Sequence, residues 1–128
     1  MRDYQLEACR IIEVALKAAA PYDTGNLALN SIRIQSDHSA VLIGGEDVAP
    51  YAVYTNEPWL SEKWGGKVNP NEGWVQNTLQ NAAPVIQKTL SGSLTQEEYN
   101  ELLAKYNDEI ERRQKQRIAA LEKLREKI

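Results

Sequence analysis

The last third of the chain most limits what it can fold into. Thr95-Gln96-Glu97-Glu98 has the form of a capping box. In such a box the Thr95 hydroxyl accepts from the Glu98 amide, and the Glu98 carboxylate accepts in return from the Thr95 amide. Tyr99, Leu102, Leu103, Tyr106 and Ile110 follow as an apolar stripe at helical spacing. The stripe lapses from Glu111 to Arg117 and resumes at Ile118, Leu121, Leu124 and Ile128. A helix this long, with a polar middle, cannot lie wholly on one small core. Its distal half is therefore expected to project and to pack against another copy or another protein. Residues 93–128 read as a helical extension of a core domain spanning 1–92.

The core domain reads as α+β. Tyr4, Ala8, Ile11, Ile12, Ala15, Leu16 and Ala19 recur at helical spacing, so residues 3–20 are expected to form a helix. Pro21 stops it. Pro21, Asp23, Thr24 and Gly25 then form a structural turn in which Asp23 or Thr24 can cap a short helical turn near 25–30. Strands are expected over 31–36 and 40–44, joined by a polar turn at Asp37-His38-Ser39, with a third over 51–55. The sheet is thus antiparallel, small and of three to four strands. Residues 56–72 read as a long irregular loop carrying Trp59 and Trp64; loops of this length in a compact domain are commonly functional or mobile. A helix resumes near 71 with a stripe from Trp74 to Leu90 and a kink at Pro84, and Ser91-Gly92-Ser93 reads as a hinge.

Composition narrows the function classes. A chain of 128 residues reads as one domain large enough to bury a core without disulfides or metals. It has no Phe, so Tyr, Trp, Leu and Ile must fill that core. Its formal charge of −3 gives no general attraction to nucleic acid or anionic lipid. Cys9 is the only cysteine and falls on the apolar face of the first helix, where a thiol acts as a small hydrophobe. Asp3, Glu7 and Glu13 interrupt the N-terminal segment, which reads as neither a signal peptide nor a membrane span. The chain is expected in a cytoplasm, or in an assembly formed there.

No cluster of residues suited to catalysis stands out. Asp23-Thr24-Gly25 is the core of an aspartic-protease half-site, but such a half-site ends an apolar strand, and here a helix and a proline lead into it. The reading is a capped turn. His38 is the single histidine, and zinc sites need several His or Cys ligands at set spacing. Gly44-Gly45 and Gly65-Gly66 lack the continuation of a phosphate-binding loop. No catalytic residue, metal or cofactor is therefore assigned. Eight of the fifteen Lys and Arg residues lie between 105 and 128, which opens a nucleic-acid reading. Interleaved acids favour a solvated or helix-pairing face instead, with Glu109–Arg113 and Glu111–Lys115 spaced as helical ion pairs.

Two groups of residues are candidates for an interface. One is the aromatic cluster Tyr51, Tyr54, Trp59, Trp64 and Trp74. It has three readings: pinning the long loop onto the core, a binding surface, or the wall of a ligand pocket. The other is the last helix, with Tyr106, Ile110, Arg113, Arg117, Leu121 and Leu124.

The run Ala19-Ala20-Pro21-Tyr22-Asp23-Thr24-Gly25-Asn26-Leu27, followed by Ser31-Ile32, then Val41-Leu42-Ile43-Gly44 and Tyr51-Ala52-Val53-Tyr54, carries a resemblance. In content and order it resembles the signature of small tail-completion and head–tail connector proteins of long-tailed bacteriophages and prophages, which are neck, minor capsid or minor tail components. The resemblance covers about residues 5 to 90. The chain departs from the pattern at Thr55-Asn56-Glu57-Pro58 and at Asn71-Glu72-Gly73-Trp74, and the helix from 95 has no counterpart in it. The resemblance implies a small α+β fold and a structural role at the virion neck or tail. It also implies assembly in the host cytoplasm with other neck, tail or capsid-connector proteins, commonly as rings. No membrane partner is expected, and no nucleic acid.

Overall fold

The first helix is the element around which the others are arranged. The computed structural model describes residues 2–20, 32–38, 40–43, 60–61, 67–68 and 72–126. Helix α1 spans Tyr4–Ala19, strand β1 Ile32–Ile34, β2 Val41–Ile43, β3 Leu60–Ser61 and β4 Lys67–Val68. Helices α2 (Trp74–Leu90) and α3 (Gln96–Glu126) complete the order. The chain is mainly helical with small antiparallel strand pairs, an α+β arrangement. β1 pairs with β2, and β3 pairs with β4.

Helix α1 starts where a cap is available. The Asp3 carboxylate accepts from the Leu6 amide at 3.0 Å, which holds its carboxyl below the usual range. Glu7 is buried and is met by Arg2, whose guanidinium donates to both carboxylate oxygens at 3.1 and 2.6 Å. Arg2 also lies 5.2 Å from the centre of the Tyr4 ring. The buried face of α1 is wider than one stripe: Val14 joins Ala8, Cys9, Ile11, Ala15 and Leu16, whereas Tyr4 and Ala19 are exposed. The reason is that α1 packs against both α2 and α3 as well as the β1–β2 hairpin. Cys9 sits as a small hydrophobe should, with burial raising its thiol pKa.

Among the described residues, two clusters form the core. Leu16, Ala20, Ile32 and Trp74 join the end of α1 to the hairpin and the start of α2. Ile11, Leu94 and Tyr99 join the middle of α1 to α3, with Val85, Leu102, Leu103 and Tyr106 packed around them. Together these contacts run α2 antiparallel to α1 and α3 parallel to it.

The hairpin register sets Ile32 opposite Ile43 and Ile34 opposite Val41. Its turn is held from outside. His38 takes φ 59°, its ring nitrogen lies 3.2 Å from Asp3, and its carbonyl accepts from the Cys9 thiol at 3.3 Å.

Several expectations change. The expected irregular loop contains an antiparallel pair, Leu60–Val68 and Ser61–Lys67. Two-residue strands are too short to leave an alternating pattern in sequence. The third strand over 51–55 and the turn near 25–30 lie outside the described residues. Ser91-Gly92-Ser93 is a bonded stop rather than a hinge. The Ser93 amide donates to the Lys88 carbonyl and the Gly92 amide to Thr89, both at 3.0 Å, which is the Schellman pattern.

Gly92 has φ +76°, and a Cβ there would come 3.0 Å from the Tyr4 ring. The Tyr4 ring is partly exposed and can turn aside, so the left-handed backbone is the larger obstacle. Gly92→Ala is expected to destabilise by more than about 1 kcal/mol, read as a lower denaturation midpoint. An unchanged midpoint would mean that the stop is not held in this conformation.

Candidate interaction surface

The capping box sets where α3 begins. The Glu98 amide donates to the Thr95 hydroxyl at 3.1 Å, and the Thr95 amide donates to the Glu98 carboxylate at 3.2 Å. The Thr95 amide, then its hydroxyl and Lys88, hold the Glu98 carboxyl below the usual range. From there the apolar stripe lies on the core as far as it was expected to. Tyr99 is buried; Leu102, Leu103, Tyr106 and Ile110 are half-buried.

Among the described residues, Arg113 makes the last side-chain hydrogen bonds from α3 to the core. Its guanidinium donates to the carbonyls of Ala18, in the last turn of α1, and of Ala20, the residue that caps it. A helix leaves its final carbonyls without partners and carries partial negative charge at that end, so a fixed cation satisfies both needs. The expected pairing of Glu109 with Arg113 gives way to a pair between Glu109 and Arg112, because Arg113 turns inward. That pair lowers the Glu109 pKa and raises that of Arg112. The expected pair of Glu111 with Lys115 forms, at 3.8 Å.

Past Arg113 the helix keeps an apolar stripe but has little to lay it on. Ile118 is 56% exposed, Leu121 46% and Leu124 58%. Arg117 is half-buried. Leu121 and Leu124, with Ile118, form an apolar strip on a projecting helix. Tyr106 and Ile110 belong instead to the packed half, Tyr106 beside the cluster of Ile11, Leu94 and Tyr99. Trp74 is 7% exposed and lies in the other cluster, so its ring fills the core and is not open to a partner. Tyr51, Tyr54, Trp59 and Trp64, and the turn residues Pro21, Asp23, Thr24 and Gly25, lie outside the described residues.

A groove of about 500 Å³ runs between α2 and the proximal half of α3, with Val85, Leu94 and Leu102 along its apolar part. Sequence reading did not single it out, because a groove belongs to two helices and leaves no mark on either alone. Asp3 was also missed as a cap, although an Asp directly before the first periodic residue is a start signal. Among the described residues, no three His, Cys, Asp or Glu side chains gather so as to hold a metal ion. No described helix is long and apolar enough to cross a membrane.

One buried polar atom stands out. Tyr99 is 4% exposed, and its hydroxyl has no hydrogen-bond partner among the described residues. A buried donor left unpaired costs about 1–3 kcal/mol in lost solvation. Tyr99→Phe is therefore expected to leave thermal stability unchanged or raise it. A clear fall in the melting midpoint would show that the hydroxyl has a partner in solution.

Comparison with known proteins gives no match: no family model, no curated protein and no solved structure is similar to the chain.

Proposed function

We propose that this is a structural assembly protein of a long-tailed phage or prophage. It acts in head–tail joining or tail completion through protein–protein contacts, without catalysis or a cofactor. The observation that carries the assembly part is the exposed strip Ile118, Leu121 and Leu124 on a helix that runs past its own core. An apolar strip on a projecting helix suits a protein that works by being packed against others. The phage part rests on the ordered motifs from Ala19 to Tyr54. With it goes a single sheet of three to four strands in the core domain, to which the β1–β2 hairpin would contribute. The partners are other neck, tail or capsid-connector proteins and further copies of the chain, arranged as a ring, assembled in the host cytoplasm and carried at the virion neck or tail.

The test is deletion of the gene from its prophage, followed by electron microscopy of an induced lysate. Separated heads and tails are expected. Complete, infectious particles would remove the reading.

A second reading follows from the distal half of α3, where residues 111–126 hold six bases and three acids. It makes this helix a nucleic-acid-contacting adaptor. Arg112, Arg113 and Lys115 are engaged within the chain, which weakens it. It predicts DNA affinity that falls steeply with added salt, and no DNA binding at low salt would end it.

A further inference from the structure

We propose that the distal half of α3 seats in the groove between α2 and α3 of a second copy, joining copies head to tail. The proposal concerns the purified chain alone and does not rest on the phage reading.

Three observations converge. The first is shape and polarity. The projecting helix offers Ile118, Leu121 and Leu124 along one strip, and the groove offers Val85, Leu94 and Leu102 in a trough of about 500 Å³. An amphipathic helix laid in an apolar groove between two helices is a recurrent mode of recognition.

The second observation is charge, which names a second copy as the occupant. Residues 96–110 of α3 carry five acids and one base, and residues 111–126 carry six bases and three acids. With Arg112, Arg113 and Lys115 engaged within their own chain, Lys123 and Arg125 are the bases that the distal half turns toward the acidic proximal half of another copy. Arg125 flanks the strip, and Glu98 and Glu101 stand on the groove rim. Lys88 and Lys105 share that rim, and Lys88 is engaged by Glu98 at 3.3 Å. Glu97 and Glu101 take part in no ion pair among the described residues. Charge segregation also suits the helix's own dipole, but that effect fades beyond the end turns and does not require an apolar strip between the bases.

The third observation fixes the symmetry. With about 100° between successive residues, the strip and the groove-facing residues Glu98, Glu101 and Leu102 point roughly 150° apart around α3. A two-fold pair would need both on one side of the helix, so that each copy fills the other's groove. They are not, so the contact is heterologous. A heterologous contact closes into a ring or grows into a filament.

Light scattering on the full chain over a range of concentration and salt tests this. The wild type is expected to form species larger than a monomer, and to lose them as salt is added. Leu121→Asp with Leu124→Asp breaks the strip; Glu101→Lys on the groove rim, with Glu97→Lys one turn before it on α3, reverses the charge beside the groove. All four positions are exposed, and circular dichroism checks that the helices remain. Each double variant is expected to associate at least about tenfold more weakly, a loss of about 1.4 kcal/mol. Mixed in equal amounts, the two variants are expected to form a one-to-one complex, because each keeps the half that the other lacks. A wild type that stays monomeric at high concentration overturns the proposal. So does a strip variant that associates like the wild type, or a mixture that stays monomeric. Any of these results leaves the gene-deletion test of the phage reading untouched.

Discussion

Trp74→Ala is expected to lower the stability of the chain by about 3–5 kcal/mol, the range for removing a large aromatic from a core. Trp74 opens α2 directly after Gly73, which takes φ 72° and offers no side-chain cap. The Thr78 hydroxyl donates to the Trp74 carbonyl at 2.7 Å. The indole meets Leu16 and Ala20 at the end of α1 and Ile32 on the hairpin, with Val41 and Ile43 around it. No other side chain in that cluster is as large, so truncation leaves a space that the short strands cannot collapse to fill. Chemical denaturation reads the effect, and Leu90→Ala on the same helix is the control. Leu90 is 54% exposed, and surface changes usually stay within about 0.5 kcal/mol. If Trp74→Ala kept its midpoint and lost only self-association, the indole would be an interface residue after all.

That contrast marks what the sequence could and could not carry. The capping box at Thr95, the stripe from Tyr99 to Ile110 and its return at Ile118 were legible, because helical periodicity is a local signal repeated over many residues. The hairpin was legible from two short alternating runs about a polar turn. Trp74 was ambiguous in sequence for a physical reason: tryptophan serves both cores and interfaces, and its neighbours Trp59 and Trp64 gave it an interface's company. Its depth depends on Leu16 and Ile32, which are remote along the chain. Gly92 failed differently. Ser-Gly-Ser is the composition of a flexible link, and the bonds that make it a helix stop run back to Lys88 and Thr89. The groove between α2 and α3 was invisible because it exists only once two helices meet.

Arg113→Ala is expected to cost about 1.5–3 kcal/mol, the range for hydrogen bonds made by a charged group. In sequence Arg113 is one of several bases on a charged stretch, and its spacing from Glu109 suggests a surface ion pair worth a few tenths of a kcal/mol. In the fold its guanidinium reaches two carbonyls at the end of α1, those of Ala18 and Ala20. Ala20 is fully buried beside Leu16 and Trp74, so truncation uncovers acceptors that have little access to water. Arg113→Lys separates geometry from charge. An ammonium keeps the favourable interaction with the helix end but lacks the planar fork that spans two acceptors. It is expected to recover only part of the loss. Hydrogen exchange supplies the second readout. Amides in the last turn of α1 should exchange faster in Arg113→Ala, while those near Leu6, held by Asp3 at the other end, should keep their protection relative to the lowered global stability. Equal loss of protection at both ends would mean that Arg113 acts on overall stability and not on the end of α1. Full rescue by lysine would mean that charge alone suffices. The local result would identify Arg113 as the point where α3 is fastened to α1, and so as the residue that fixes where the packed half of α3 gives way to the projecting one.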